Sequence, residues 1–228
     1  QHNYVLALSV EQDIEAKIDL QLKQMTVAEK VGQMTQVDLS TIIAGKDEQG
    51  QLLLDENKLN EAINKYKVGS ILNAGGSGIT PQHWRKILTK IQDKALKTEQ
   101  AIPVLYGIDA IHGATFTEGA TLFPHNIGMG ASRNTDLVKQ AAKVTAKEVR
   151  ASGIRWNFDP VLDIARQPLW PRFGETFGED TYLITQMGVA AITAYEEDGL
   201  ASPTAVASTM KHFVGYSNPA SGKDRTPA

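Results

Sequence analysis

Four polar side chains stand out by type and position: Asp109, Arg172 and the adjacent pair Lys211-His212. Asp109 lies in Pro103–Gly130, PVLYGIDAIHGATFTEGATLFPHNIGMG, where an apolar run (Val104-Leu105-Tyr106) breaks at Gly107 and polar groups follow. A carboxylate just past a strand end can accept hydrogen bonds from two neighbouring hydroxyls, each charge-assisted and on the order of 1.5–3 kcal/mol. Arg172 sits in RQPLWPRFGE (166–175), where its fork can span Glu175 and a ligand hydroxyl. Lys211-His212 puts two donors side by side at a strand end. Successive residues of a regular strand point to opposite faces, so both reach one pocket only where the backbone is irregular. Taken singly, each group reads as structural rather than chemical. Together they make one acceptor and three donors, with Trp170, Phe173 and Phe213 nearby, and that inventory suits a polyhydroxylated, uncharged ligand.

Other chemistries find less support. Asn73–Gly78 is glycine-rich and precedes a helix, but it is neither G-x-G-x-x-G nor a phosphate-binding loop, and it reads as a tight turn. His112 and His125 have no companions at ligand spacing and read as hydrogen-bonded structural histidines. There is no H-E-x-x-H and no G-x-S-x-G. The absence of cysteine removes disulfides, thiolate catalysis and thiolate metal sites. A net charge of −3 without a basic stripe argues against nucleic acid or an anionic membrane as partner. No apolar run approaches the roughly 18 residues that span a bilayer. The start at Gln1-His2-Asn3 reads as processed or cloned.

The elements that must position these groups follow from periodicity and punctuation. Ser9–Gln12 fits a capping box and opens a helix through Ile14, Ile18 and Leu22; Thr26–Glu29 opens another carrying Val31, Met34 and Val37. Gly45–Gly50 reads as a loop or hairpin tip, and Asp55 caps a helix through Ile63 and Tyr66. A rhythm then sets in. The strand Val68–Leu72 is followed by a helix from Thr80-Pro81 to about Thr98, with Trp84, Ile87, Leu88 and Ile91 on one face. The strand of the Asp109 stretch is followed by a helix over Asn134–Ser152, with Leu137, Ala141, Val144 and Val149 inward. The strand Arg155–Phe158 leads into a long loop, Val161–Glu179, and a helix from Asp180 or Thr181 to about Asp198. Val206–Phe213 is the fourth strand, and Gly215–Ala228 is loop. Strand, loop and helix repeated four times imply an α/β fold with a parallel sheet and right-handed crossovers. An open doubly wound sheet and a closed eight-fold barrel both fit. Polar residues from three units at strand C-termini favour the barrel mouth.

At these residues the chain resembles the N-terminal barrel of glycoside hydrolase family 3, the β-glucosidases and exo-acting β-glucan glucohydrolases. The matching stretches are GIDAIHG (107–113), TLFPHNIGMGAS (121–132), KEVRASGIRWNFDPVLDIAR (147–166), RFGETFGED (172–180) and KHFVGYSNPASGKDR (211–225). The similarity starts near MTVAEKVGQM (25–34) and runs to the end. The resemblance implies the N-terminal part of a (β/α)8 barrel, incomplete in this chain, with about four βα units plus N-terminal helices. Residues 1–25 would be an extension and 26–228 the first part of the barrel domain. It also implies a retaining mechanism, in which a carboxylate nucleophile forms a glycosyl-enzyme and a second carboxyl group acts as acid and then base.

The family's nucleophile is an Asp in a Ser/Thr-Asp-Trp-like motif late in the barrel. No such motif occurs here, so no catalytic residue is expected in this chain; nucleophile and acid/base are expected C-terminal to Ala228. The resemblance carries over substrate-binding roles for Asp109, Arg172, Lys211 and His212, and in some members the Lys-His pair is joined by a cis peptide. RQPLWPR stands where the family has RDPRWGR, and Pro171 would stiffen the turn carrying Arg172. The expected activity is hydrolysis of terminal non-reducing β-D-glucosyl residues by a secreted or periplasmic enzyme, without cofactor or metal. The expected partners are a β-glucoside or β-gluco-oligosaccharide and the remainder of the same polypeptide. The isolated chain is expected to be inactive and prone to association through exposed sheet edges. Competing expectations are a non-catalytic sugar-binding or structural fragment, and a β-N-acetylglucosaminidase of the same family.

Overall fold

The computed structural model describes residues 2–74 and 78–228, with side chains from Gln12 onward. Gly75, Gly76 and Ser77, the middle of the glycine-rich turn, lie outside the described residues, as does the Ser9 side chain of the first capping box. The elements in chain order are α1 (His2–Gln24), α2 (Val27–Gln33), β1 (Gln36–Asp38), β2 (Ile43–Lys46), β3 (Leu52–Leu54), α3 (Glu56–Asn60), β4 (Ser70–Leu72), α4 (Pro81–Ala95), β5 (Leu105–Ile108), α5 (Asn126–Ala131), α6 (Thr135–Ala151), β6 (Trp156–Asn157), α7 (Thr181–Tyr195) and β7 (Ala207–Ser208).

Five strands form one parallel sheet in the order β1-β4-β5-β6-β7, and β2 with β3 make a separate antiparallel hairpin. Each new parallel strand is laid on the same side of the last, so the winding never reverses. Right-handed crossovers that always advance in one direction are the pattern of a barrel wall; a doubly wound sheet needs a switch point. The fold class is therefore the barrel-type α/β expected from the residues.

The local chemistry of the helix starts is as the sequence predicts. Thr26 and Glu29 form the reciprocal box, with the Thr26 amide donating to Glu29 Oε2 at 2.8 Å and the Glu29 amide to Thr26 Oγ1 at 3.3 Å. Asp55, Thr80, Asn134 and Asp180 cap α3, α4, α6 and α7 through their side chains. The core lies between the sheet and its helices, with Ile71, Tyr106 and Ile108 meeting Trp84, Ile87 and Ile91 of α4, Val149 of α6 and Met187 of α7.

Several expectations are corrected. The helix opened by Thr26 stops at Gln33, and Val37 belongs to β1, a strand that the apolar spacing Val31-Met34-Val37 disguises; the sheet thus has five parallel strands. α1 begins at His2, ahead of the Ser9 box, and its Ile14, Ile18 and Leu22 are exposed. The inward face of α6 is Val138, Ala142, Thr145, Ala146 and Val149: Val149 is inward as expected, whereas Leu137 and Val144 are exposed, and the expected Leu137, Ala141 and Val144 each lie one residue early. β5 does not break at Gly107 but runs through it to Ile108; the glycine serves close packing, since the Phe158 ring occupies the space a Cβ would take. α7 ends at Tyr195. β7 is only Ala207–Ser208, and Lys211 lies beyond it, joined to Val161 by a single parallel bridge.

Candidate sugar-binding site

The C-terminal ends of β4, β5, β6 and β7 deliver the polar groups to one side of the sheet. Asp109 directly follows β5, and Lys211 and His212 follow β7. Arg172 comes from the long loop after β6 and precedes a 3-10 turn at Phe173–Glu175. All four line a single open cavity of about 660 Å³, together with Phe158 and Tyr216 among others. Pro171 thus leaves Arg172 in the cavity with the other three.

Each side chain is held by a named neighbour. Asp109 Oδ1 accepts from Lys211 Nζ at 2.5 Å, and its Oδ2 accepts from Asn73 Nδ2 at 2.9 Å. The Asp109 amide donates back to Asn73 Oδ1 at 3.0 Å. Asn73 sits at the end of β4 with φ of 57°, a left-handed conformation that Asn tolerates well. The backbone immediately after Asp109 is clamped as well: the buried Asn157 side chain accepts from the Ala110 amide at 2.9 Å and donates to the Ala110 carbonyl at 3.1 Å. Asp109 is therefore fixed by the strands on both sides of its own.

Arg172 makes a bidentate pair with Glu175, Nε to Oε1 and Nη2 to Oε2, both at 2.8 Å. That carboxylate raises the guanidinium pKa above its ordinary value, so the fork stays charged. The guanidinium lies 5.6 Å from the centre of the Tyr216 ring. The His212 and Trp170 rings also pack edge-on against Tyr216, with centroids 4.7 Å and 5.3 Å away. Tyr216 is itself anchored, its hydroxyl donating to Asp224 Oδ1 at 2.5 Å, an oxygen that also accepts from Trp170 Nε1 at 3.1 Å. Trp170 is buried behind Tyr216 and does not line the cavity, whereas Phe213 lines it and is 90% exposed.

Lys211 and His212 both face the cavity, although neighbours in a regular strand diverge. They lie past β7, where the strand pattern has ended, and the peptide between them is cis. The Lys211 amide donates to Pro160 O at 3.0 Å, and His212 Nδ1 meets Asp163 Oδ2 at 2.6 Å. Beneath them lies Asp159, 3% exposed, whose Oδ2 accepts from the Tyr195 hydroxyl at 2.6 Å. Burial pushes its pKa up to about 7, against the opposing pull of the Tyr195 hydroxyl and the Lys211 ammonium.

His112 and His125 stand apart from the cavity, stacked on one another with ring centroids 4.0 Å apart, and His112 Nδ1 contacts the Phe123 carbonyl at 3.1 Å. Among the described residues no group of three or more His, Asp or Glu has a metal-binding arrangement. The reading from sequence did not single out Asn73, Asp163 or Tyr216. Asn73 carried a signal, an Asn at a strand end; Asp163 and Tyr216 carried none in their spacing.

The family description "Glycosyl hydrolase family 3 N terminal domain" matches residues 26–228. The chain is 39% identical over 225 residues to a lysosomal beta glucosidase of Dictyostelium discoideum, covering 92% of this chain and 27% of that protein. It is 32% identical over 204 residues to a periplasmic beta-glucosidase of Salmonella typhimurium, covering 89% and 24%. In three dimensions it is similar to the exo-1,3/1,4-beta-glucanase of a Pseudoalteromonas species, with a TM-score of 0.77 and 34% identity over 93% of this chain and 26% of that one. The chain thus spans about a quarter of the length of these relatives.

Proposed function

The chain belongs to glycosyl hydrolase family 3, and from that membership we propose that it supplies the sugar-holding wall of a retaining, exo-acting β-glucosidase. The substrate is a β-glucoside or β-gluco-oligosaccharide, cleaved at its terminal non-reducing β-D-glucosyl residue. The observation that carries this reading is the convergence of Asp109, Arg172, Lys211 and His212, from three separate units, on one cavity. Asp109 accepts from sugar hydroxyls, while Lys211 and Arg172 donate to them.

The bond-breaking groups are assigned to the rest of such a polypeptide, which would also complete the barrel. Retaining hydrolysis needs two carboxyl groups about 5–5.5 Å apart across the anomeric centre. Asp109 is committed to Lys211 and Asn73, and Glu175 to Arg172. The names of relatives support a periplasmic or secreted location, and among the described residues no helix is long and apolar enough to cross a membrane.

The test is hydrolysis of an aryl β-glucoside and an aryl N-acetyl-β-glucosaminide by the protein at its full natural length. The glucoside is expected to be preferred, and Lys211→Met is expected to lower kcat/KM for it by about 10- to 100-fold, the scale of one charge-assisted hydrogen bond. Preference for the acetamido sugar, or full activity in Lys211→Met, overturns the assignment.

A further inference from the structure

We propose that Asp163 is a positioning residue that holds His212 in the tautomer protonated on Nδ1, so that Nε2 meets a sugar hydroxyl as a hydrogen-bond acceptor. The inference rests on the reading of the cavity as a glucoside site and adds to it a residue and a polarity. The Asp163 side chain is 1% exposed. Its Oδ2 takes two hydrogen bonds from the same residue, one from the His212 backbone amide at 3.0 Å and one from Nδ1 at 2.6 Å. An ionised carboxylate offers only lone pairs, so the hydrogen in the second contact resides on Nδ1. The amide contact fixes where that oxygen sits, and the Tyr216 ring packed against the imidazole restrains its plane.

With Nδ1 carrying the hydrogen, the neutral ring leaves Nε2 as a bare lone pair. His212 lines the cavity, and among the described residues its Nε2 has no hydrogen-bond partner. This changes the inventory read from the sequence, where Lys211 and His212 counted as two donors. The ammonium of Lys211 and the fork of Arg172 can only donate, and Asp109 can only accept. Nε2 is then a second acceptor, made so by a residue that itself stays out of the cavity. A buried carboxylate that sets a histidine tautomer in this way also determines function in the serine-protease triad, where the wrong tautomer is the main consequence of neutralising the acid. Here the histidine holds a hydroxyl and no proton is transferred, so the expected effect is smaller.

The decisive measurement is nitrogen NMR of the protein at its full natural length, isotope-labelled at histidine, at a pH where the ring is neutral. His212 is assigned by comparison with His212→Gln. The expected spectrum shows a proton bonded to Nδ1 and none on Nε2; the reverse pattern overturns the proposal. In Asp163→Ala the Nδ1-protonated bias should disappear and kcat/KM for an aryl β-glucoside should fall about 10- to 100-fold. In Asp163→Asn the His212 backbone amide donates to the same position that Nδ1 meets, so the oxygen rather than the NH2 group should occupy it and much of both should return; an Asn NH2 turned toward Nδ1 would instead give the triad's wrong tautomer. An unchanged tautomer in Asp163→Ala counts against the proposal. If that variant does not fold, the wild-type spectrum alone decides. Wild-type protein that shows the expected tautomer but cleaves no β-glucoside would sink the glucosidase reading and leave the positioning role standing. Activity with a bare Nδ1 would do the opposite.

Discussion

Replacing Asp159 with Asn should stabilise the protein at neutral pH and change it little near pH 4. The side chain is buried, and while Tyr195 donates to Oδ2, Oδ1 has no hydrogen-bond partner among the described residues. Burial dominates and raises the pKa from 3.8 to about 7. Because the folded-state value is the higher one, the folded protein keeps this proton at pH values where the unfolded chain releases it. The associated stability is fully present below about 3.8 and is lost as pH rises through about 7. At about 1.4 kcal/mol for each pH unit between those two values, the loss amounts to roughly 4 kcal/mol by slightly alkaline pH. Asparagine does not titrate and retains an oxygen for the Tyr195 hydroxyl. The unfolding free energy of Asp159→Asn minus that of the wild type should therefore climb by about 1.4 kcal/mol per pH unit across the window and level off above it. Titrating groups that do not interact with Asp159 are common to both proteins and cancel. Urea unfolding followed by circular dichroism, repeated from acid to slightly alkaline pH, measures the difference directly. A difference that is flat with pH, or that grows toward acid, refutes the reasoning.

Two further substitutions probe how the cavity is held. Asn73→Ala removes both side-chain bonds to Asp109 and places a Cβ-bearing residue of low left-handed preference at φ of 57°. It should cost about 1–3 kcal/mol in a denaturant melt and raise KM for an aryl β-glucoside about 10-fold, with Asn73→Gly reproducing the KM change at a smaller backbone cost. Gly107→Ala drives a methyl group into the Phe158 ring. It should lower stability by about 1–3 kcal/mol, read from the denaturant midpoint; an unchanged midpoint would mean that Phe158 has room to move.

The helices that could be read from sequence were those with strong punctuation. Thr80-Pro81, Asn134 and Asp180 each place a capping oxygen before an apolar pattern, and each caps a helix. β1 was invisible because Val31, Met34 and Val37 keep a three-residue spacing that a helix would also show, and a three-residue strand is too short to display alternation. The α6 face is hard to read because Ala142, Thr145 and Ala146, which are buried, are weaker apolar markers than Leu137 and Val144, which are not. In the site, the residues that reach the cavity were legible from type and from their position after strands. Their supports were not. Asp163 and Asn73 are more than 30 positions from the groups they hold, and only the packing of neighbouring strand ends brings them into contact.

The way the cavity's charges are paired bears on what it can hold. Lys211 is matched by Asp109 at 2.5 Å and Arg172 by Glu175 at 2.8 Å. A charged ligand would have to compete with one of these internal partners and would leave the displaced group unpaired in a partly enclosed site, which costs more than a lost hydrogen bond. A hydroxyl can join a pair without breaking it. An ammonium has three hydrogens and a carboxylate about four lone-pair positions, and the structure engages one hydrogen of Lys211 and two positions of Asp109. One hydroxyl can thus donate to Asp109 while a neighbouring one accepts from Lys211. The geometry therefore selects adjacent neutral hydroxyls over single charges, and a pyranose presents such hydroxyls around its ring.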